Sequence, residues 1–314
     1  MYKKNEVYTI IVTYNGMKWI KDCISSVYKN TRVVIIDNNS SDNTVAYIQE
    51  NFSKVKIFNQ KKNLGFGKAN NIGITYALSE GAEFVFLLNQ DAKILEDSIK
   101  KMIKFSLNNK EYGVLSPLHC DWSGQFLEDS FSRYMGLKFN TDFYSDFILL
   151  KKIKEVYDVP FIAAACWFIP KRVFEKVGGF DPMFFHLGED INYAQRIIYH
   201  KYKIGVLPSC KVLHDTKGRV YNVPVKYSDE YFYKSNYLNK IKYGDVNKKN
   251  IYNRKANFFK RQIYKDIIFF TLQLKFKKLY GALKELKIFK KMIQECKKSI
   301  SLNSTIGKHY LNKI

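Results

Sequence analysis

Short β-branched runs alternate with helical apolar spacings along the first hundred residues. Val7–Thr13 (VYTIIVT) reads as a buried strand. Apolar residues at Trp19, Ile20, Cys23, Ile24 and Val27 predict a helix over 19–28. Val33–Ile36 predicts a second strand ending on Asp37, and Ser41–Asn51 a helix opened by Ser and Asp, good N-terminal caps. Val55–Asn59, Gly67–Leu78 and Phe84–Leu88 follow as strand, helix and a wholly apolar strand. This β-α-β-α-β-α-β order predicts an α/β fold with a mainly parallel sheet flanked by helices. Farther on, 106–113 reads as a polar loop, and from Ser116 to Asp158 aromatic and acidic residues interleave without a clear period. Long loops in a compact domain are usually functional. Val159–Ile169 predicts another buried strand, Lys171–Val177 a short helix, Glu189–His200 a helix, Lys203–Leu207 a strand and Lys211–Asp215 a short apolar stretch.

Ligands of such sheets sit at the carboxyl ends of the strands. After strand one comes Thr13-Tyr14-Asn15-Gly16, and after strand two Asp37-Asn38-Asn39-Ser40-Ser41-Asp42. After strand three comes Asn63-Leu64-Gly65-Phe66-Gly67, and after strand four Asn89-Gln90-Asp91. Turn-forming preference alone accounts for one such loop. Four polar loops on one edge point to a binding site for a polar ligand.

Composition narrows the class. The 314 residues suit one large or two modest domains, and 46% hydrophobic content argues against disorder. No apolar run reaches the about 20 residues that span a bilayer, and no signal-peptide core follows the first residues, so the expected location is the cytosol. The five cysteines form no CxxC pair, which excludes zinc ribbons and thioredoxin-type sites and reads as reduced thiols.

The quoted loops now combine with later segments. VTYN (Val12–Asn15), IIDNNSSDNT (Ile35–Thr44), NLGFGKANNIGI (Asn63–Ile74), LLNQDA (Leu87–Ala92), VGGFDPMFFHLGEDINYAQR (Val177–Arg196) and VLHD (Val212–Asp215) occur in that order. Together, over residues 7–215, they resemble the family 2 inverting glycosyltransferases of GT-A fold, especially the rhamnosyltransferase-like branch. The resemblance implies a Rossmann-like, mixed sheet over residues 1–225. It implies a nucleotide-diphosphate sugar donor (dTDP-rhamnose or a UDP-sugar) and inverting transfer to a hydroxyl of a glycan or lipid-linked glycan, in bacterial cell-surface polysaccharide synthesis. It places Asp37 at the nucleoside, with Thr13, Asn15 and Asn39 lining the same pocket. Asn63, Gly65 and Lys68 match the next nucleotide-contacting segment, where Gly65 permits close backbone approach and Lys68 can face the diphosphate. Asn89-Gln90-Asp91 stands where most relatives carry Asp-x-Asp, so Asp91, with His214, is the implied holder of Mg²⁺ or Mn²⁺. Asp190 matches the general base, with Glu189 supporting it or exchanging roles. The second acid often seen two positions later is Asn192 here, and the Gln-x-x-Arg-Trp signature of processive polymerases is missing, so a single sugar is transferred.

The last stretch carries a separate message. The chain's net charge is +23, and from Lys240 to the end 20 basic residues face 4 acidic ones, a net of +16. Leu272, Phe276, Leu279, Leu283 and Leu286 recur at helical spacing among lysines. Residues 226–314 therefore read as a basic, mainly helical extension that docks on an anionic membrane, with a homodimer contact as its other use. The expected location becomes the inner face of the plasma membrane. A nucleotide-sugar pyrophosphorylase is the alternative enzyme, but it opens with a Gly-rich basic loop where this chain has Thr13-Tyr14-Asn15-Gly16. A nucleic-acid-binding role has charge in its favour and no RNP motif or zinc finger. A catalytically dead binding module, suggested by Asn89, conflicts with the intact Asp37, Asp91, Asp190 and His214.

Overall fold

The computed structural model describes residues 6–217, 223–248 and 252–311. The chain divides into two compact units: one from the N-terminus to Gly218, rejoined by Ile306 to the C-terminus, and one from Arg219 to Thr305. The sequence reading drew its boundary at 225/226. The final residues go with the first unit because the Gly179 N–H donates to the His309 carbonyl (2.8 Å) and the Gly307 N–H to the Lys176 carbonyl (3.1 Å).

The first unit is built on one nine-stranded sheet. In chain order its elements are β1 (Val7–Thr13), α1 (Ile20–Tyr28), β2 (Arg32–Asp37), α2 (Thr44–Asn51), β3 (Lys56–Asn59), α3 (Phe66–Ser79), β4 (Phe84–Leu88) and β5 (Ala92–Ile94). There follow α4 (Ser98–Asn108), β6 (Tyr112–Cys120), α5 (Asp129–Tyr134), α6 (Thr141–Ile148) and β7 (Tyr157–Asp158). The unit continues with β8 (Cys166–Pro170), α7 (Lys171–Val177), α8 (Glu189–Tyr199) and β9 (Lys203–His214). The strand order is β3-β2-β1-β4-β8-β6-β9-β5, with β7 also on β9. Strands β3, β2, β1 and β4 are parallel, β8 runs antiparallel between β4 and β6, and β6 is again parallel to β9. The carboxyl ends of β1, β2, β4, β6 and β9 therefore share one edge.

Side-chain alternation along the strands splits the core in two. Tyr8, Ile10, Val34, Ile36, Val85 and Leu87 pack with α3, α7 and α8 on one face. Val7, Ile11, Val33, Ile35, Phe84 and Phe86 pack with α1, α2 and α4 on the other. Each such buried side chain contributes about 1.5–3 kcal/mol relative to exposure. All five cysteines are buried and outside disulfides.

Three expectations change. Only Cys166–Pro170 of the run from Val159 to Ile169 is strand. Residues 159–165 are largely buried off the ladder, the Val159 N–H donating to Ile204 (3.0 Å) and the Ala165 carbonyl accepting from the Asn89 N–H (2.9 Å). The segment 106–113 is not a loop throughout: α4 runs to Asn108, with Ser106 fully buried, and β6 starts at Tyr112. The stretches 203–207 and 211–214 belong to one strand, β9, which ends before Asp215 and has a register shift against β6 between Pro117 and Leu118.

The second unit contains α9 (Asp229–Tyr243), α10 (Tyr252–Leu272) and α11 (Phe276–Asn303). The single apolar stripe expected from Leu272 to Leu286 is broken here. α10 stops at Leu272, Leu274 adopts a left-handed φ of 53°, and α11 starts at Phe276. Leu286 turns inward, whereas Leu272, Phe276 and Leu283 are exposed. Among the described residues no helix is long and apolar enough to cross a membrane.

Candidate active site

The loops after β1 and β2 are knitted together through Asp37, which is buried at the end of its strand. Its carboxylate accepts from Thr13 Oγ1 (3.0 Å), the Ser40 N–H (3.0 Å) and Ser40 Oγ. A carboxylate offers about four lone-pair directions, so Asp37 retains capacity for a donor from a ligand. Asn15, at φ 49°, accepts the Ser41 N–H on Oδ1 (2.8 Å) and donates its own N–H to Ser40 Oγ (2.9 Å). Asn39, also left-handed at φ 70°, is exposed beside them. Asn38 links this pair of loops to the third: its Oδ1 accepts the Leu64 N–H (3.2 Å) and its Nδ2 donates to the Gly65 carbonyl (3.4 Å).

In the third loop Asn63 Oδ1 accepts the Gly65 N–H (2.8 Å), and Lys68 is exposed on the first turn of α3. Gly65 has φ +79° and ψ 171°, a region open to glycine almost alone. A Cβ there would sit 1.8 Å from the Phe185 carbonyl oxygen. The close approach that needs glycine is thus one of backbone to backbone, between this loop and the segment before α8. Asn71 on α3 clamps the same segment, accepting the Phe180 N–H (2.7 Å) and donating to the Phe180 carbonyl (2.8 Å).

After β4, Gln90 makes a paired contact with Tyr14: Oε1 accepts the Tyr14 N–H (3.0 Å) and Nε2 donates to its carbonyl (3.1 Å). The middle residue of Asn89-Gln90-Asp91 thereby ties the fourth loop to the first. Pairing of Ala92 with His214 across β5 and β9 then sets Asp91 beside His214. Asp91 Oδ1 lies 3.3 Å from His214 Nε2. The Asp215 N–H donates to the Asp91 carbonyl (2.9 Å), and the Asp215 carboxylate holds Lys18 Nζ and Trp19 Nε1, each at 2.8 Å.

Behind His214 lies a buried chain of polar groups that the sequence did not single out. His214 Nδ1 is 3.4 Å from Glu128 Oε2, and His119 Nδ1 is 3.5 Å from the same oxygen. His119 Nε2 is 3.0 Å from Ser116 Oγ, and its ring stacks on Phe131 at 5.1 Å. Burial opposes ionisation of Glu128, yet hydrogen bonds from His119, His214 and Ser130 hold its carboxyl well below the usual carboxylate range. Burial pushes His119 down. It also acts against charge on His214, but hydrogen bonds to Asp91 and Glu128 push that imidazole up to about 9. Glu128 faces His214 Nδ1, and Nε2 on the other side of the ring faces Asp91.

Two ligand atoms about 2.1 Å from one octahedral cation stand about 3 Å apart. Asp91 Oδ1 and His214 Nε2 at 3.3 Å fit such a pair, and Glu128 supplies the carboxylate behind the imidazole that metal sites commonly have.

Asp190 sits in the first turn of α8, half-buried, after Gly188 at φ 94°. Its Oδ1 accepts the Ile191 N–H (2.7 Å). Burial raises its pKa to about 6, against hydrogen bonds from the Ile191 and Ala164 backbone. Ala164 adjoins Ala165, whose carbonyl receives the Asn89 N–H, so the segment 164–165 bridges α8 to the end of β4. Glu189 is buried, with Oε2 unpartnered, and burial followed by the charge of Asp190 pushes it up to about 8. Of the two, Asp190 is held nearer the ordinary carboxylate range.

Thr13, Asn15, Asp37 and Asn39 thus share one loop pair, and Asp91 meets His214. Glu128, His119, Gln90 and Asn38 are additions made by the structure. The interleaved acids and aromatics between Ser116 and Asp158 are the one sequence signal that points toward Glu128 and His119.

A protein-family model described as glycosyl transferase family 2 matches residues 8–178. The chain is 24% identical over 211 residues to the dTDP-rhamnosyl transferase RfbF of Shigella flexneri, covering 67% of this chain and 69% of that one. It is 26% identical over 223 residues to the low-salt glycan biosynthesis hexosyltransferase Agl10 of Haloferax volcanii, covering 69% and 67%. Among solved structures, S. aureus TarS 1-349 in complex with UDP superposes with TM-score 0.52 at 16% identity, over 95% of this chain and 89% of that one. GalNAc-T7 with UDP, GalNAc and Mn²⁺ gives TM-score 0.53 at 17% identity, over 79% of this chain and 52% of that one, so the chain spans about half of that protein. These structural likenesses are of fold.

Proposed function

Because this chain belongs to glycosyl transferase family 2, we propose that it moves one sugar from a nucleoside-diphosphate donor to a hydroxyl of a glycan, with inversion. The observation that carries the reading is the meeting of Asp91 and His214 on the sheet edge that also holds the Thr13–Asp37 pocket. In this reading Asp37 receives hydrogen bonds from the base or ribose, with Thr13, Asn15 and Asn39 around it. Asn63, Gly65 and Lys68 border the diphosphate side, and Asn89 lies at its end. Asp91 and His214 would hold a divalent cation, Mg²⁺ or Mn²⁺, which when bound neutralises the leaving diphosphate.

Asp190, ionised at neutral pH, takes the proton from the acceptor hydroxyl as its oxygen attacks the anomeric carbon opposite the diphosphate. Such general-base help is worth about 10²–10⁴ in rate. Glu189, pushed up to about 8, stays mostly protonated and leaves the charge on its neighbour. The donor we favour is dTDP-rhamnose or a UDP-sugar, since similar proteins are named as rhamnosyl and hexosyl transferases. The acceptor we favour is a lipid-linked glycan of a bacterial cell-surface polysaccharide, met at the cytoplasmic face of the membrane. The basic residues of the second unit supply that contact or a homodimer contact.

A panel of UDP-, dTDP- and GDP-sugars tests the proposal, with release of nucleoside diphosphate as readout. Release from one donor, stimulated by a glycan acceptor and giving a product of inverted anomeric configuration, is expected. No release from any of them, with Mg²⁺ or Mn²⁺ present, overturns it.

A further inference from the structure

The second unit spends its apolar residues unevenly. Ala256 and Ile263 on α10, and Ala282, Leu286, Phe289 and Met292 on α11, are buried. Toward the α10–α11 turn this burial stops. Ile268 is 60% exposed, Leu272 80%, Leu274 70%, Phe276 71% and Tyr280 72%. Every residue from Thr271 to Lys278 is exposed. Soluble proteins seldom leave so many large apolar side chains together in water without a partner.

The turn is built, not frayed. The Gln273 N–H donates to Phe269 (3.1 Å), the Leu274 N–H to Thr271 (3.1 Å) and the Lys275 N–H to Phe270 (2.9 Å), while the Leu279 N–H donates to Lys275 (2.9 Å). A hydrogen-bonded reversal therefore presents Leu272, Leu274 and Phe276 outward. Charge decides what they meet. From Ile267 to Leu283 there is no acidic residue, while Lys275, Lys277 and Lys278 fall within the stretch; Lys284, just after it, is paired with Asp229 (2.9 Å). Asp266, just before it, is already taken by Lys226 (2.7 Å) and Tyr227 (3.2 Å). Apolar side chains at a tip, with lysines around them and no acid, match the boundary between acyl chains and anionic headgroups: the apolar groups enter, and the lysine stems let their ammonium groups reach the phosphates.

We propose that the α10–α11 turn, through Leu272, Leu274 and Phe276 with Lys275, Lys277 and Lys278, is the element that docks this protein on an anionic lipid bilayer. This deepens the membrane part of the proposed function, and it replaces a long amphipathic helix lying flat with a turn that dips in.

The test is co-sedimentation of the full chain with vesicles of phosphatidylcholine alone or with phosphatidylglycerol. Wild type should bind the anionic vesicles at low salt and lose part of that binding as salt rises. Changing Lys275, Lys277 and Lys278 to Gln should weaken binding to anionic vesicles roughly 10²-fold, about fivefold per lysine. The variant L272S/L274N/F276S should weaken it about tenfold or more, including the salt-resistant part. These positions are exposed, so both variants should melt like wild type. Three results overturn the proposal. Wild type ignoring anionic vesicles is one. Another is a turn variant binding like wild type; F147S/L150S, in the exposed run at the end of α6, then shows whether that run binds instead. The third is a wild-type dimer in solution that the turn variant dissociates, which would mean that a second copy covers the patch. Nucleoside diphosphate release without vesicles is measured in parallel. Its loss in wild type counts against the transferase reading and leaves the docking result standing.

Discussion

Asp190→Asn removes the carboxylate that we propose takes the acceptor proton and leaves the shape of the first turn of α8. Loss of a general base predicts a fall in kcat of about 10²-fold or more, with donor binding retained. The structure adds a pH signature. Burial holds Asp190 at about 6. Such a group is about 90% ionised at pH 7 and about 10% at pH 5, so kcat/KM should drop about tenfold between them. A carboxyl of ordinary aspartate value would stay ionised at pH 5 and produce almost no change. The same burial sets the sign for stability. Asp190 and Glu189, pushed up to about 6 and about 8, favour the fold in their neutral forms. That contribution is complete below their unfolded values of about 4 and is lost as pH rises through about 6 and then about 8. Asp190→Asn should therefore raise Tm more at pH 9 than at pH 5 while lowering activity. The assay pairs initial rates of nucleoside diphosphate release over pH 4.5–9 with thermal melts at both ends. Near-normal turnover in the variant would refute the assignment and move the base to Glu189, and a flat acid limb in wild type would refute a base held at about 6.

Excess EDTA should abolish transfer, and Mn²⁺ or Mg²⁺ should restore it; full activity under EDTA would mean that basic side chains neutralise the diphosphate instead. Glu128→Gln should weaken Mn²⁺ binding, read by EPR of the free ion in the presence of nucleoside diphosphate, by about 10–100-fold because a neutral amide replaces the carboxylate behind His214; unchanged affinity would separate Glu128 from the ion. Gly65→Ala should cost at least about 2 kcal/mol in thermal or denaturant unfolding, because its φ +79° suits glycine and the Cβ would meet the Phe185 carbonyl. A variant as stable as wild type would show that the two loops separate easily.

The alternation of strands and helices through Leu88, and the site loops with it, could be read from residue order because the physics there is local. β-branched runs favour extended chain, and the turn residues follow each strand. Asp37, Asp91, Asp190 and His214 stood out because each sits in a short motif of fixed spacing. Glu128 and His119 have no such mark. They matter only because β6 pairs with β9, so that His119 lies opposite Val212 and the start of α5 is carried to His214. Gly65 is visible in the sequence as a glycine in a loop expected to contact the nucleotide, but the reason for it, the Phe185 carbonyl arriving from more than a hundred residues away, is a matter of packing. Val159–Ala165 is apolar enough for a strand and is diverted because its backbone bonds go to Ile204 and Asn89. The run from Leu272 to Leu286 keeps a helical period across a break. Periodicity records which residues are apolar, and chain reversal at Leu274 decides which of them reach water.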